Sequence, residues 1–340
     1  MEDAVIESVP IVRNTVFEVC AGAGGQSAGL ESAGFGMVAA VDNDPNACRT
    51  LRINRPDWNV IEADLRLVKG AQFRGVDLFA GGVPCPPFSI AGKQLGKNDE
   101  RDMFPEALRL IGEARPVAVI LENVRGLASD KFTRYRRGII EKLTQMGYTT
   151  DWRILNASDF GVPQLRPRFI MVAFRGMYWR NFNWPEAQGF PPTVGGTLGD
   201  LMASRGWKGA TAWRKKASTI APTLVGGSKK HGGPDLGPTR ARRQWADLWV
   251  DGLGIADEPP GKDFPISGMP RLTVRMAARI QGFPDSWHFS GGKTVSYKQV
   301  GNAFPPPVAR AVGTAVLAAL HGESRQVKER PLDLFAVANL

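Results

Sequence analysis

Phe17-Glu18-Val19-Cys20-Ala21-Gly22-Ala23-Gly24-Gly25 is the stretch whose reading decides the fold. Thr15–Cys20 is an apolar run of strand length, the glycine-rich turn Ala21–Gly25 follows it, and Gln26–Ser32 reads as a helix. Strand, glycine turn and helix in that order let the backbone approach a ligand closely and point the free N–H groups of a helix start at it. Asp42 ends the next strand, Met37–Val41, about 20 residues on, where a carboxylate can bind ribose hydroxyls. On this motif alone NAD, FAD and S-adenosylmethionine all stay open, as does a bare tight turn. The dinucleotide spacing G-x-G-x-x-G is not met, because no later glycine follows Gly22-Ala23-Gly24-Gly25 in register, and this disfavours an oxidoreductase.

The alternation continues outward. Pro45–Asn54 reads as a helix with Asp44 as N-cap and Pro45 at its first position. Asn59–Glu62, Val76–Ala80, Val117–Leu121, Tyr148–Leu155 and Phe169–Phe174 read as strands, and Phe104–Glu113 and Tyr135–Met146 as helices. Strands spaced by helices imply an α/β fold with a doubly wound parallel sheet, whose function collects at the carboxyl ends of the strands. Glu18, Asp42, Cys85 and Glu122 all fall at or near such ends. From about Tyr178 to about Asp263 the chain turns rich in Gly, Pro, Trp and basic residues, with short elements, which reads as a smaller loop-rich domain. A helical pattern returns at Leu272–Gln281, and a final helix, Pro306–Leu320, is apolar enough to pack back on the first sheet.

The composition is that of a globular chain: 340 residues, 43% hydrophobic and 22% charged. No apolar run approaches the roughly 18 residues of a membrane helix. Met1–Pro10 carries Glu2, Asp3 and Glu7 without a basic start, so no signal peptide is expected and the cytoplasm is the expected location. Three cysteines, Cys20, Cys48 and Cys85, argue against a disulfide framework, and three scattered histidines argue against a structural metal. The net charge of +10 is concentrated: Arg205 to Arg243 holds ten Lys/Arg against one acid, Asp235. A polyanion partner is the natural reading.

Five further motifs carry chemistry. In Gly82-Val83-Pro84-Cys85-Pro86-Pro87-Phe88-Ser89, three prolines hold one cysteine in a rigid, non-helical loop that presents it rather than packs it. Glu122-Asn123-Val124 sets a carboxylate at the end of a buried strand, a costly place unless it is paired or functional. Gln164-Leu165-Arg166-Pro167-Arg168 aims alternate arginines to one side of an extended segment. Arg279-Ile280-Gln281-Gly282-Phe283-Pro284 and Gln299-Val300-Gly301-Asn302 complete the set.

All these blocks, in this order, resemble the DNA cytosine-C5 methyltransferase family of bacterial and phage restriction-modification type, over nearly the whole chain except roughly 178–263, where that family keeps its variable target-recognition region. The resemblance implies a Rossmann-like S-adenosylmethionine-dependent methyltransferase sheet plus a smaller target-recognition domain, with 1–180 and 286–340 catalytic and 181–285 reading DNA. It implies Cys85 as nucleophile, Glu122 at the cytosine N3 and amino edge, and Arg166 and Arg168 holding the active site and reaching O2. The cofactor pocket would use Phe17, Ala21, Gly22, Ala23, Gly24, Gly25, Asp42 on the ribose, Asn43, Asp64 near the adenine amine, Leu65, Pro84, and Asn302 and Ala303 at the methionine part. Double-stranded DNA would meet Ser89, Gln94, Arg214, Lys215, Lys216, Thr223, Leu224, Lys229, Lys230, Arg240, Arg242 and Arg243. The implied cofactor is S-adenosylmethionine, leaving S-adenosylhomocysteine, without metal; the implied partners are DNA and a cognate restriction endonuclease, around a monomer.

Two departures stand out. The family's first block usually reads Asp-Leu-Phe where this chain has Glu18-Val19-Cys20, and Asn43 occupies a position often held by an aromatic or large aliphatic residue. A tRNA cytosine methyltransferase of the same family would carry Cys-Phe-Thr in the target region, but no cysteine follows Cys85. A catalytically silent DNA-binding paralogue is disfavoured by intact Cys85, Glu122 and Arg168.

Overall fold

The computed structural model describes residues 14–84, 102–226 and 235–323. Seven strands form one sheet: β1 (Thr15–Val19), β2 (Gly36–Asp42), β3 (Val60–Glu62), β4 (Leu78–Gly81), β5 (Ala118–Val124), β6 (Tyr148–Asn156) and β7 (Pro167–Arg175), in the order β3-β2-β1-β4-β5-β7-β6. The sheet is doubly wound as the alternation implied, with one strand reversed: β7 runs antiparallel to both β5 and β6. The reason lies in the connection. A parallel partner needs a crossover, usually through a helix, and between β6 and β7 the chain makes only the short 3-10 turn Ala157–Phe160. Reversal brings the start of β7 beside the end of β5, with Val124 opposite Arg168.

Helices cover both faces, so β4 is buried along its whole length and reads as a continuous apolar run. On one face α3 (Phe104–Ala114) and α4 (Thr133–Gln145) pack over Phe17, Val19 and Phe79. On the other, α1 (Gly25–Ala33) and α10 (Pro306–Leu320) pack over Val16, Leu78 and Ala80. Between them in sequence, α2 (Pro45–Asn54) starts as read: the Asp44 side chain accepts from the N–H groups of Asn46 and Ala47, with Pro45 at the first helical position. The final helix occupies the expected residues and returns to the first sheet. A methyl group on Gly29 of α1 would lie 2.4 Å from the Pro306 carbonyl oxygen and 2.5 Å from the Ala309 Cβ, so α1 and α10 touch backbone to backbone.

The segment read as loop-rich holds α5 (Val194–Ala203), α6 (Ala210–Lys216) and α7 (Thr239–Asp247), followed by α8 (Val274–Ile280) and α9 (Lys293–Asn302). Trp207, Trp213 and Trp245 are buried there, in a core continuous with Leu51, Trp287 and Val300 near the sheet. Taken together, α9 and α10 (Lys293–Leu320) form a stretch long and apolar enough to cross a membrane, which the sequence reading did not anticipate. Two-thirds of its most apolar window (67%) is buried inside the fold, as core helices are.

Gly29→Ala is expected to lower the unfolding free energy by about 1–3 kcal/mol, the usual range for an overfilled core. Urea denaturation checks it, and an unchanged midpoint would mean that α1 and α10 separate freely.

Candidate active site

A cavity of about 640 Å³ opens at the carboxyl ends of β1, β2 and β4 and is closed by the end of α9. Ala21, Gly22, Ala23, Asp42, Asn43, Asp64, Leu65, Pro84, Asn302 and Ala303 line it. Three residues expected there do not. Phe17 is fully buried on the other side of β1, with its ring stacked on Phe73 at 4.1 Å and edge-on to Phe79 at 5.4 Å. Strand alternation sends Phe17 to one face and Glu18 to the other, and it is Glu18, together with Cys20, that reaches the cavity. Gly24 and Gly25 serve packing instead. A side chain on Gly24 would meet Leu51 and Trp287 at 2.7 Å, and one on Gly25 would meet the Phe304 carbonyl oxygen at 2.2 Å.

Asp42 fixes the glycine turn. Its Oδ2 accepts from the Gly22 N–H at 2.7 Å and its Oδ1 from the Asp44 N–H at 2.8 Å. Burial pushes its proton affinity up, and those backbone bonds oppose the rise. Gly22 has φ +54° and open space around it, so the turn presents bare backbone to the cavity. Asp64 accepts from the Arg66 backbone N–H at 2.9 Å, and that bond holds its carboxyl below the usual range.

Beneath the turn lies a set of buried polar atoms without partners. Among the described residues, both carboxyl oxygens of Glu18, both amide atoms of Gln26 and the Ser27 hydroxyl make no hydrogen bond. Burial pushes Glu18 from an ordinary 4.5 up to about 8; Ser27, near but outside hydrogen-bond geometry, opposes the rise, and the Asp42 charge adds to it. Glu18 and Gln26 both border the cavity. Buried polar groups are almost always satisfied, so this floor suits a ligand carrying both a donor cation and an acceptor anion, as an amino acid does.

On the adjoining strands, Arg168 Nε meets Glu122 Oε1 at 2.9 Å, with side chains only 11% and 12% exposed. Glu122 lies opposite Ile170, so Arg168 is its diagonal neighbour on the same face of the antiparallel pair. Burial raises the proton affinity of Glu122, opposed by the positive charges of Arg168 and Arg166.

Arg166 is 1% exposed, and its two terminal nitrogens donate to backbone, to Leu224 O at 2.6 Å, Gly301 O at 2.7 Å and Ala303 O at 3.0 Å, while Nε has no partner among the described residues. The expectation that it reaches a substrate base therefore gives way to a positioning role. Gln164 reinforces the junction, accepting from the Leu224 N–H at 2.7 Å and donating to Gln281 Oε1 at 2.7 Å.

The buried Asn123 amide donates to the Val83 carbonyl at 2.7 Å and so holds the segment leading to Cys85, a role the sequence motif alone does not reveal. The Met103 N–H donates to the Pro84 carbonyl at 3.1 Å, so the chain leaves and returns at one point. Cys85, Ser89, Gln94, Lys229 and Lys230 themselves lie outside the described residues.

Of the residues expected to meet DNA, Leu224 is corrected. It is 1% exposed and sits in the core, with its backbone held by Arg166 and Gln164. Thr223 donates its hydroxyl to the Leu165 carbonyl. Arg214, Lys215 and Lys216 form the exposed last turn of α6, with the Lys216 ammonium 3.1 Å above the Trp249 ring. Arg240 and Arg243 are exposed on α7, and Arg242 is half-buried.

Comparison with known proteins bears on what this arrangement does. The C-5 cytosine-specific DNA methylase family model matches residues 14–318. The chain is 54% identical over 324 residues to the type II methyltransferase M.NaeI of Lentzea aerocolonigenes, covering 94% of this chain and 78% of that protein. It is 55% identical over 315 residues to the type II methyltransferase M.NgoMIV of Neisseria gonorrhoeae, covering 91% and 99%. Among solved structures, the Entamoeba histolytica methyltransferase EhMeth superposes with a TM-score of 0.62 over 92% of this chain and 99% of its own, at 17% identity, a likeness of fold alone.

The Glu18 carboxyl gives a pH signature. Because folding raises its proton affinity from 4.5 to about 8, its contribution to stability is complete below about pH 4.5 and is lost as pH rises through about 8. The thermal midpoint of the ligand-free protein should fall from pH 6 to pH 9, and less steeply in Glu18→Gln; identical slopes in the two proteins would refute the assignment.

Proposed function

The chain belongs to the C-5 cytosine-specific DNA methylase family and is a DNA cytosine-C5 methyltransferase, and from that premise we propose that Cys85 is its nucleophile, that Glu122 and Arg168 hold the target cytosine, and that the cavity binds S-adenosylmethionine. The observation that carries the reading is the buried Glu122–Arg168 pair beside a cavity floored by partnerless polar atoms.

The chemistry sets the requirements. Cytosine C5 is a weak nucleophile, and the base must leave the helix before any side chain reaches its ring, at a cost of a few kcal/mol. The Cys85 thiolate adds to C6, forming a C–S bond and giving C5 enamine character. A free thiol titrates near about 8.5, so the loop must favour the thiolate or pass its proton on. Glu122, whose burial favours the protonated form, donates a hydrogen bond to N3, where the ring accumulates negative charge. Arg168, whose Nε lies 2.9 Å from Glu122 Oε1, supports the same charge at O2. When bound, S-adenosylmethionine supplies the electrophilic sulfonium methyl that C5 attacks. Loss of the C5 proton then expels the Cys85 thiolate and restores the aromatic ring.

The residues present fit that cofactor. Asp42 and Asn43 stand where ribose hydroxyls would bind, and Asp64 and Leu65 where the adenine would. Asn302 and Ala303 face the methionine part, whose ammonium and carboxylate match the Glu18 and Gln26 floor. Residues 1–180 and 286–340 form the catalytic part and 181–285 the target-recognition part. There Arg214, Lys215, Lys216, Arg240, Arg242 and Arg243, with Thr223 and the lysines 229 and 230, meet the phosphates of double-stranded DNA while neighbouring loops read base edges. The type II names of the relatives support a restriction endonuclease acting on the same site. The enzyme works as a cytoplasmic monomer.

Two outcomes test the reading. Cys85→Ser is expected to lower methyl transfer by about 10⁴-fold or more, as removal of a nucleophile does elsewhere, while duplex binding in a gel-shift assay persists; turnover equal to wild type would refute the mechanism. Bisulfite sequencing of a plasmid from cells expressing the protein should show one short sequence protected at a single cytosine, and no protected cytosine would contradict C5 methylation.

A further inference from the structure

The bare Cα of Gly301 faces the backbone of Gly226, and that of Gly226 faces the Asn302 side chain. A side chain on Gly301 would begin 2.6 Å from both Cα and N of Gly226, and one on Gly226 would begin 2.1 Å from Asn302 Oδ1. Nothing larger than glycine fits at Gly301 without displacing the opposite backbone, and nothing larger fits at Gly226 without displacing the Asn302 side chain. The two glycines belong to different parts of the molecule. Gly226 closes the extended stretch that runs from Ala221 beside Gln164, whereas Gly301 lies in the last turn of α9, next to two residues of the cavity wall, Asn302 and Ala303. Arg166 fastens the same junction from below, with one end of its guanidinium on Leu224 and the other on Gly301 and Ala303.

We propose that Gly226 is a positioning residue for the cofactor pocket: its bare backbone is the wall against which the Asn302 amide rests, and through it a stretch of the target-recognition part sets cofactor affinity. This rests on the reading of Asn302 as a cofactor ligand. A shift of residues 221–226 on engaging DNA changes the seat of Asn302, so duplex and cofactor affinities are linked reciprocally. The obstacle to a methyl group at Gly226 is the far end of one side chain rather than backbone. Gly226→Ala therefore moves Asn302 and leaves the fold in place.

The test is calorimetric titration of S-adenosylhomocysteine into the full chain as wild type, Gly226→Ala, Asn302→Ala and the double variant, each checked by thermal midpoint. Loss of about one hydrogen bond predicts roughly tenfold weaker binding in each single variant, and the double variant should be no weaker than Asn302→Ala alone. Wild-type affinity in Gly226→Ala with weakened Asn302→Ala overturns the positioning role. So does a Gly226→Ala loss that persists in full in the Asn302→Ala background, which marks general damage. Unchanged binding in Asn302→Ala overturns the cofactor reading beneath it. Should Gly226→Ala fail to fold, the duplex methylated by the enzyme provides a second readout. Adding it shifts the S-adenosylhomocysteine affinity of the wild type, and by a smaller factor in Asn302→Ala; equal factors overturn the linkage.

Discussion

The buried guanidinium of Arg166 is the interaction on which the assembled site depends. Taking a cation out of water is costly unless it is hydrogen-bonded, and here three backbone carbonyls accept from its two terminal nitrogens, with Nε left without a partner among the described residues. Two of them, Gly301 and Ala303, come from the end of α9, where the helix dipole concentrates negative partial charge. The third, Leu224, comes from the stretch that enters the basic region. One side chain thus joins the sheet, the cavity wall and the basic stretch, and Glu122, while ionised, lowers the cost of burying it.

The reversal of β7 makes this possible. Arg166 and Arg168 stand at the entry to that strand, and only an antiparallel strand has its entry beside the exit of β5, where Glu122 sits. With β7 reversed in place, Arg168 would stand beside Ala118, four residues from Glu122 along β5. At about 3.3 Å per residue, a parallel β7 would carry Arg168 some 13 Å from Glu122.

Charge is distributed to match two ligands of opposite sign. The outer turns of α6 and α7 are basic, suited to phosphate, whereas the cavity is walled by Glu18, Asp42 and Glu122, all pushed toward the neutral form by burial. In the proposed mechanism Glu122 keeps its proton, as donation to the cytosine N3 requires.

Much of this was legible in the sequence. The strand, glycine turn and helix at Thr15–Ser32, the Asp44–Pro45 helix start, the carboxylates at strand ends and the last helix at Pro306–Leu320 depend on local spacing and local hydrogen bonds, which the chain carries with it wherever it folds. The ordered motifs likewise carried the family and its reaction. Tertiary structure decided what depends on distant partners. It turned β7 over, sent Phe17 into the core and Glu18 to the cavity, gave Gly24 and Gly25 to packing, buried Leu224, and spent the Arg166 donors on carbonyls far along the chain. Alternation says that neighbouring residues face opposite sides but not which side holds the ligand, and a glycine motif does not say which glycine meets a ligand and which meets a tryptophan. Those choices are made only when segments far apart in sequence, such as residues 226 and 301, come into contact.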